Sequence, residues 1–354
     1  MAEMHDFFER LLSARGSDLH LEQGQPPKMR SLGHLHAIDG LPILTEEYLG
    51  RIMEEVAPPA LWKSFVDTGD ADFACELPGK ARFRANYYRH HYGFGAVFRM
   101  IPSKVVTLEE LGMPPVLKKF ATFRSGLCLV TGPTGSGKST TLAAILDYIN
   151  TTVPRKIMTI EEPVEFIHQS KKGFMVHREV GSDTASFASG LRAAMKSDAE
   201  IVLVGELRDL ETIRLALTAA QMGILVFGTL HTNSAPKTID RIVDVFPVNE
   251  KNQARMILSN VLKGVMAQQL IPSADGKRRV ASYELMFQTM GMSAIIAEGD
   301  TIRMVSEIQM NGRDGMILMD DCLVNLVLSG QIRREDALVK ARDKNAFQAR
   351  MAGR

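Results

Sequence analysis

Residues 127–149 read LCLVT-GPTGSGKS-TTLAAILDYI, and this stretch decides the fold of the chain. Its first part is a short apolar run typical of a buried strand, and its last part has the spacing of a helix. Between them lies a complete G-x-x-x-x-G-K-[ST] motif, whose glycines let backbone N–H groups turn inward around phosphates while the helix N-terminus adds partial positive charge. The stretch therefore predicts a phosphate-binding P-loop between a strand and a helix.

The motif also assigns individual roles within this loop. Lys138 is expected to reach the β- and γ-phosphates of ATP, and Ser139 to ligate Mg²⁺. The predicted nucleotide-binding residues are Gly132, Pro133, Thr134, Gly135, Ser136, Gly137, Lys138, Ser139 and Thr140. ATP and Mg²⁺ are the expected cofactors.

From Leu127 onward, apolar strands alternate with helical stretches, which is typical of a parallel sheet covered on both faces. The predicted strands are Leu127–Thr131, Lys156–Ile160, Ile201–Val204 and Ile224–Leu230. The predicted helices are Ser139–Ile149, Ser186–Met195, Leu210–Ala220 and Glu250–Gln268. We therefore expect an α/β domain in the middle of the chain.

Between Asp18 and about Met100 the sequence has a different pattern, with short strand-like runs and one predicted helix, Thr45–Val56, after a Thr N-cap. Before it, MAEMHDFFERLL predicts an amphipathic helix at the N-terminus. The last seventy or so residues have helical spacing with scattered glycines. Prolines at both ends of Ile101–Pro115 suggest a linker. The predicted domains are residues 1–100 (N-terminal α+β), 101–115 (linker), 116–289 (P-loop ATPase) and 290–354 (C-terminal helical subdomain).

Composition excludes several classes of protein. The 354 residues carry a formal net charge of +1, which argues against a generally basic nucleic-acid-binding protein. Cys75, Cys128 and Cys322 are far apart, so neither a disulfide framework nor a cysteine zinc site is expected. The N-terminus carries acids where a signal peptide needs bases, and no apolar run approaches the ~20 residues that span a bilayer. The chain is expected to be cytoplasmic and to reach a membrane only through partners.

Polar residues at the ends of predicted strands are candidates for catalysis, because ligand chemistry gathers at the carboxyl ends of parallel strands. Glu206 follows IVLVG, and Glu161 with Glu162 follows KIMTI. A carboxylate at this edge can orient or activate water beside a γ-phosphate. His231 ends ILVFGTL in the same way and is either a γ-phosphate sensor or an ordinary loop histidine.

Arginines upstream of the linker are candidates for stabilising transition-state charge. Arg82 and Arg84 are two residues apart and point to one side of a strand, and Arg99 lies on the next strand. The alternative is an exposed strand face with solvated arginines.

Several longer runs resemble the type IV pilus retraction ATPases, the PilT/PilU family of the secretion ATPase superfamily. The matching runs are SDLHL, ARFRANYYR, GAVFRMIP, GPTGSGKST, TIEEPVEFIH, REVGSDTASF, VGELRDLETIRLALTAAQMG and TLHTNSAPKTIDRIVDVFP. They keep the family's order over almost the whole chain. The resemblance implies a hexameric ATPase motor that drives pilus retraction, hence pilus disassembly and twitching motility.

The same resemblance implies an N-terminal PAS-like domain joined to a RecA-like ATPase domain, with ATP bound at domain and subunit interfaces. By it, Glu161 belongs to the aspartate box and Glu206 to the Walker B box, both serving Mg²⁺ and the attacking water, and His231 belongs to the histidine box. Arg82, Arg84 and Arg99 become candidate arginine fingers. The implied partners are five further copies of the chain, an inner-membrane pilus platform protein at whose cytoplasmic face the ring works, and a paralogous retraction ATPase.

Two departures from the family pattern bear on activity. The aspartate box usually reads Glu-Asp-Pro but here reads Glu161-Glu162-Pro163, so slower or metal-sensitive turnover is expected. The helical stretch Ser293–Glu298 lacks the arginines of the retraction motif Ala-Ile-Arg-Asn-Leu-Ile-Arg. This absence keeps open an accessory PilU-like paralogue that modulates a sister motor.

Other functions stay as alternatives. A related assembly or secretion ATPase usually has a longer N-terminal region and a four-cysteine zinc module, and neither is expected to fit in 354 residues with three isolated cysteines. A nucleic-acid translocase needs basic residues along its pore, and basic runs such as Lys171-Lys172 and Lys277–Arg279 are usually solvated surface. A regulatory ring that binds ATP without hydrolysing it is excluded only by an ATPase rate that depends on Glu206.

Overall fold

The computed structural model describes residues 3–31, 34–101 and 105–352. The chain divides into two compact units. The first comprises Met1–Lys104 and Glu162–Ile167, and the second comprises Val105–Glu161 and His168–Arg354. Residues 102–104 of the predicted linker lie outside the described residues.

The first unit is built around one antiparallel sheet. Its elements are α1 (Met4–Ser13), β1 (Asp18–Glu22), β2 (Lys28–Ser31), β3 (His34–Ala37), α2 (Glu46–Val56), α3 (Pro59–Thr68), β4 (Asp70–Leu77), β5 (Ala81–His90) and β6 (Gly93–Ile101). The six strands follow the order β3-β2-β1-β6-β5-β4. Every neighbouring pair is antiparallel. The α+β class expected for this region is confirmed.

Aromatic side chains form the core of the first unit. Along β5, the alternate residues Phe83, Ala85 and Tyr87 are buried, as the two-residue period of a strand requires. Phe8 of α1 stacks on Phe83 with ring centroids 4.1 Å apart. The hydroxyl of Tyr87 donates to the carbonyl of Met53 at 2.9 Å, which satisfies the polar end of a buried ring.

The prediction of a single helix among the strands of this region was wrong. The structure contains α3 as well as α2 between β3 and β4. Pro58 and Pro59 stand at the start of α3, where a missing backbone N–H costs nothing, and Gly69 ends it with a φ of 92°. The helix predicted after Thr45 is confirmed, since the Thr45 side chain accepts from the N–H of Tyr48 at 3.3 Å.

The second unit contains the P-loop. Its elements are β7 (Gly126–Thr131), α4 (Lys138–Thr152), β8 (Lys156–Glu161), β9 (Phe174–Glu179), α5 (Phe187–Lys196), β10 (Ile201–Val204), α6 (Leu210–Gln221), β11 (Leu225–Leu230), α7 (Ala235–Asp244), α8 (Lys251–Val261), β12 (Leu262–Pro272), β13 (Arg279–Phe287), α9 (Met290–Glu298), α10 (Arg303–Met310), α11 (Met319–Leu328), α12 (Arg334–Lys340) and α13 (Lys344–Ala352). Short 3₁₀ helices occupy Pro115–Thr122, Val248–Glu250 and Gly312–Asp314.

The sheet of this unit has seven strands in the order β13-β12-β7-β11-β10-β8-β9. All neighbours are parallel except β13, which pairs with β12 in antiparallel fashion. Strands β7, β10 and β11 are buried along their whole length, as expected of parallel strands in an α/β domain. The predicted α/β class is confirmed, with one antiparallel edge strand added.

The helix predicted over Glu250–Gln268 is present only in its first part, and its second part is a strand. The helix α8 ends at Val261, and β12 begins at the next residue and pairs with β7. A strand that is buried on both faces has no alternation of polar and apolar residues, so its apolar spacing continued the helical pattern. The pairing with β7, more than a hundred residues away in sequence, decides the strand.

The C-terminal region is helical from α9 onward, as predicted. Its helices pack with Ile271 of β12 in a small core, whose other buried residues are Met319, Leu323, Val324, Ile332, Ala337, Ala341 and Phe347. None of the helices in the described ranges combines the length and the apolar character that crossing a membrane requires.

Candidate active site

The P-loop leaves β7 at Gly132 and enters α4 at Lys138. Gly132 has a φ of 145° and Gly137 a φ of 88°, a region that side chains rarely adopt. A Cβ on Gly132 would lie 2.2 Å from the carbonyl oxygen of Gln268, and one on Gly137 would lie 2.9 Å from its Nε2. The glycines of the motif are therefore required by the neighbouring strand β12 as well as by the turn.

Two side chains of this loop are suited to an anionic ligand. The ammonium of Lys138 donates to the carbonyls of Gly132 at 2.8 Å and Pro133 at 3.1 Å, which holds the positive charge over the loop. The hydroxyl of Ser136 is buried and has no hydrogen-bond partner within the described residues. A buried polar atom without a partner is costly, and a phosphate oxygen would satisfy it. The half-buried Ser139 and Thr140 follow in the first turn of α4.

Gln268 supports the P-loop and was missed from the sequence, where it was placed at the end of a helix. It is buried on β12, and its Oε1 accepts from the hydroxyl of the buried Thr141 at 2.8 Å. The neighbouring Ala267 pairs with Thr131, the last residue before the loop. Gly264 interrupting the apparent helix was the available signal for a strand.

The carboxyl edge of the sheet brings together three of the predicted site residues. Glu161 is the last residue of β8, Glu206 lies two residues beyond β10, and His231 directly follows β11. Because the strand order is β7-β11-β10-β8, these residues follow one another outward from the P-loop. The strand adjacent to the P-loop strand carries His231, and the next one carries Glu206.

Glu206 is held by two nitrogen groups. His231 Nε2 lies 3.3 Å from Glu206 Oε1, and Arg208 Nη2 lies 2.8 Å from Glu206 Oε2. The Glu206 side chain is 20% exposed and that of His231 48%. Arg208 was not selected from the sequence, although it lies within the quoted run VGELRD. Each carboxylate oxygen of Glu206 thus has a nitrogen partner, and the group remains accessible.

The backbone around Glu206 is fixed on both sides. The N–H of Gly205 donates to the carbonyl of Ile160 at 2.8 Å, and the N–H of Leu207 donates to that of Thr229 at 3.0 Å. The Thr229 hydroxyl donates to the carbonyl of Gly205. Glu206 therefore projects from a rigid edge, which suits a group that has to hold water in one place.

The start of α6 is fixed by an N-cap a few residues further on. Asp209 accepts from the N–H of Thr212 at 2.9 Å and from its hydroxyl at 2.8 Å. Burial raises the pKa of Asp209, but the hydrogen bonds from Thr212 outweigh it and leave the pKa below its usual value. The carboxylate is therefore charged at neutral pH, where it stabilises the helix N-terminus.

The two predicted glutamates of the aspartate-box segment separate between the units. Glu161 ends β8 in the second unit, and its register partner in β9 is Glu179. Glu162 is exposed and begins the segment Glu162–Ile167, which belongs to the first unit. The bond between Glu162 and Pro163 is cis.

The three predicted arginines lie on one face of the first unit's sheet. Arg84 on β5 is the register partner of Arg99 on β6, and Arg82 is two residues from Arg84. Arg99 Nε donates to Asp18 Oδ1 at 2.7 Å although its side chain is 71% exposed. Arg84 Nη2 lies 3.7 Å from an oxygen of Asp72. These partners offset the repulsion expected between like charges on neighbouring strands.

Arg82 is held differently from the other two arginines. Its Nη1 donates to the carbonyl of Val164 at 3.0 Å, and Val164 belongs to the segment that joins the first unit. The structure thus places all three arginines on one surface of the N-terminal sheet and gives each a different partner.

A stacked pair of histidines lies at the edge strand β9, where His177 is half-buried on the strand and His168 is buried beside it. His168 and His177 stack with ring centroids 5.8 Å apart, and Thr159 on β8 lies 2.9 Å from His177 Nδ1. The His168 ring is 2% exposed, and its Nδ1 lies 3.6 Å from Asp147 Oδ1. Burial, together with the neighbouring His177, lowers the pKa of His168 to about 4. This ring is therefore neutral at physiological pH.

The donor set at the site suits Mg²⁺ bound together with a nucleotide. Within the described ranges, no group of three or more His, Cys, Asp or Glu side chains is arranged to hold a metal alone. Mg²⁺ is usually held by one or two protein oxygens, water and the phosphates of its nucleotide. The hydroxyl of Ser139 and the carboxylate of Glu206 are oxygens of this kind.

Comparison with known proteins gives results consistent with this site. The family model of the Type II/IV secretion system proteins matches residues 69–350. The type IV pilus retraction ATPase PilT of Pseudomonas aeruginosa is 51% identical over 331 residues, which cover 94% of this chain and 96% of that protein. The type IV pilus ATPase PilU of the same organism is 35% identical over 346 residues, which cover 96% of this chain and 89% of that protein.

The fold also has a counterpart among solved structures. A crystal structure of the pilus retraction motor PilT with bound ADP superposes with a TM-score of 0.91 and 37% sequence identity. The match covers 99% of this chain and 100% of that one.

Proposed function

The chain belongs to the Type II/IV secretion system protein family and to its type IV pilus retraction ATPases, and from this membership we propose an ATP-hydrolysing motor that drives pilus retraction. Retraction by such a motor removes pilin from the fibre and produces twitching motility. The observation that carries the catalytic part of the proposal is the carboxylate of Glu206, held by His231 and Arg208 on the strand edge beside the P-loop.

Each residue of this site has a distinct role in the proposal. The P-loop binds the phosphates through its backbone, and Lys138 turns from the loop carbonyls to the β- and γ-phosphates. Glu206 orients the attacking water and accepts its proton. His231 contacts Glu206 and senses the γ-phosphate, and Glu161 orders water at the next strand.

Magnesium, when bound, supplies positive charge that offsets charge developing on the phosphate oxygens. We propose that Ser139 holds it directly and Glu206 partly through water. Glu162, which stands where the family usually has Asp, is one methylene longer and is expected to make turnover slower or more dependent on the metal.

We propose that six chains form a ring and that Arg82, Arg84 and Arg99 supply the positive charge from the N-terminal domain. Their common position on one sheet face supports a shared role. Arg99 is favoured over Arg84 as the finger, because the Arg99 side chain is 71% exposed and that of Arg84 is 45% exposed. Its bond to Asp18 has to open for it to reach a phosphate.

The proposed partner is an inner-membrane pilus platform protein, which would place the ring at the cytoplasmic face of that membrane. A paralogous retraction ATPase is a second proposed partner, and no nucleic acid is expected. The domain boundaries 1–100, 101–115, 116–289 and 290–354 stay a prediction, and within them the segment Glu162–Ile167 groups with the first compact unit.

An accessory role as a PilU-like paralogue is the second candidate. It is favoured by Ser293–Glu298, which lies in α9 and has none of the arginines of the retraction motif. It is opposed by the identity to PilT, 51% against 35% to PilU. A related assembly or secretion ATPase ranks below both.

Hydrolysis is tested with Glu206→Gln, which keeps the size of the side chain and removes its charge. We expect the ATPase rate to fall by roughly 10²- to 10⁴-fold while ATP binding is retained. Glu211→Gln on α6 is the matched control, since it removes an exposed carboxylate that pairs with Arg192. An unchanged rate in Glu206→Gln would remove this residue from the mechanism.

The cellular role is tested by complementation of cells that lack their retraction ATPase, scored by surface pili and twitching. Rescue that is lost with Lys138→Ala supports an autonomous motor. A stable chain that hydrolyses ATP but does not rescue would indicate the accessory role instead.

A further inference from the structure

A fully buried carboxylate lies where two helices of the second unit begin. Glu284 on β13 is 0% exposed. Its Oε1 accepts from the N–H of Ala235, the first residue of α7, at 2.7 Å, and its Oε2 accepts from the N–H of Met319, the first residue of α11, at 3.5 Å. Two helix N-termini thus direct partial positive charge at one anion.

Arg342 completes the set of groups around Glu284. Its Nη1 lies 2.8 Å from Glu284 Oε2, and its Nη2 donates to the carbonyl of Asn233. The planar guanidinium therefore bridges a buried carboxylate and a backbone carbonyl, a geometry that a lysine cannot reproduce.

The backbone of Arg342 is itself anchored. Arg342 lies between α12 and α13, and its N–H donates to Asp320 Oδ1 at 2.9 Å. The N–H of Asp343 donates to the other oxygen of the same carboxylate at 3.0 Å. Because Asp320 is on α11, the guanidinium is held by the C-terminal helices as a group.

Asn233 belongs to the short loop that begins with His231. In this loop, Thr232 bonds Thr238 at 2.7 Å, and Ser234 caps α7 by accepting from the N–H of Lys237 at 3.2 Å. Arg342 contacts the loop two residues after His231, and Glu284 contacts it four residues after. The far end of the loop that carries His231 is therefore fixed by groups outside the nucleotide site.

We propose that Arg342 is a positioning residue for ATP hydrolysis, through which the C-terminal helices hold the loop of His231 and so set its place beside Glu206. The inference rests on the proposed roles of these two residues. It makes the rate of hydrolysis depend on α11, α12 and α13, which do not carry the P-loop or the catalytic carboxylate.

A purely structural role for the ion pair is the competing explanation. The Arg342 side chain is 32% exposed and that of Glu284 is fully buried, so removing Arg342 alone leaves a buried carboxylate without its ion-pair partner and is destabilising, whereas removing both charges is often neutral. The variants therefore include Arg342→Met, the double variant Glu284→Gln with Arg342→Met, and Arg342→Lys, which keeps a charge beside Glu284 but has one nitrogen for two acceptors.

The control variant is Arg350→Met. Arg350 lies on α13 and pairs with Asp321 at the surface, so it removes an arginine from the same helices without touching the loop. For each full-length chain, kcat and KM for ATP, binding of a fluorescent ADP analogue and the melting temperature are measured. The kinetic measurements are repeated in a His231→Ala background.

We expect Arg342→Met and the double variant to lower kcat by roughly 10- to 100-fold, with KM and ADP affinity within about twofold, since small displacements near the reacting groups have effects of this size. Arg342→Lys should also lower kcat, and the kcat of Arg350→Met should stay within about twofold of that of the parent chain. In the His231→Ala background, Arg342→Met should cause no further loss.

The inference is overturned if folded Arg342 variants keep the parent kcat, or if Arg342→Met lowers kcat by the same factor with and without His231. If Arg342→Met does not fold, the double variant and Arg342→Lys decide by the same criteria. If His231→Ala itself leaves kcat unchanged, the proposed role of His231 is wrong and this inference is wrong too. If only the Arg342 variants keep the parent kcat, this inference is wrong and the proposed function is unaffected.

Discussion

The buried ring of His168 predicts a loss of stability in mild acid. Burial, with His177 beside it, lowers its pKa from the ordinary 6.5 to about 4. The unfolded chain therefore binds a proton at this residue below about pH 6.5, while the folded chain stays neutral down to about pH 4. Stability contributed by the neutral ring is complete above this window and decreases as the pH falls through it.

The size of the effect follows from the shift. A difference of this size amounts to about 3 kcal/mol once the pH is below both pKa values. Between pH 7 and pH 5, the same linkage gives a loss of about 2 kcal/mol in the free energy of unfolding. Solvent screens this ring little, because the His168 side chain is 2% exposed.

The assay is urea unfolding followed by circular dichroism at the two pH values, without nucleotide. The parent chain is compared with His168→Asn and with His36→Asn, which removes an exposed histidine of β3. We expect His168→Asn to lose about 2 kcal/mol less than the parent between pH 7 and pH 5, and His36→Asn to behave as the parent. The reasoning would be refuted if all three chains lost the same free energy of unfolding between pH 7 and pH 5, or if an NMR titration gave His168 a pKa near 6.5.

Three further predictions concern the P-loop and its surroundings. Gln268→Leu leaves the buried hydroxyl of Thr141 without its acceptor and should lower the free energy of unfolding, measured in urea, by about 1–3 kcal/mol. Adding Thr141→Val should recover part of this loss, and a Gln268→Leu variant as stable as the parent would contradict the prediction. Gly132→Ala brings a Cβ to 2.2 Å from a backbone oxygen, so its melting temperature and ADP affinity should fall further than those of Gly135→Ala, where a Cβ meets nothing within 4 Å. Asp209→Ala removes the N-cap of α6 and should cost about 1 kcal/mol at pH 7 in urea unfolding, a difference that should shrink as the pH falls through the lowered pKa of Asp209 and would be absent if the cap were unimportant.

The sequence predicted best those elements whose signal is local. The strand, glycine turn and helix around Lys138 are specified by consecutive residues, and the structure reproduces them. The helix predicted from Ser186 is also present as α5, with Ser186 and Ser189 forming a capping box. The neighbourhood of Glu206 and His231 was predictable as well, because both follow apolar runs and the ends of parallel strands meet at one edge.

The sequence failed where distant pairing decides. Strand β12 was read as helix because a strand buried on both faces shows no two-residue period, and its pairing with β7 has no local signal. Because of that error, the hydrogen bond from Thr141 to Gln268 was not predicted. The contact of Arg342 with the loop at Asn233 joins residues 109 positions apart, so only the folded chain reveals it.

The segment Glu162–Ile167 limits how this protein can be divided. It lies in sequence between two strands of the ATPase sheet, yet it belongs with the N-terminal unit, where the carbonyl of Val164 accepts from Arg82. The two units are therefore not contiguous in sequence. A chimera of two relatives joined only near residue 104 would contain an N-terminal unit whose segment 162–167 comes from the other parent. We expect such chimeras to fold well only when residues 162–167 are exchanged together with the N-terminal unit.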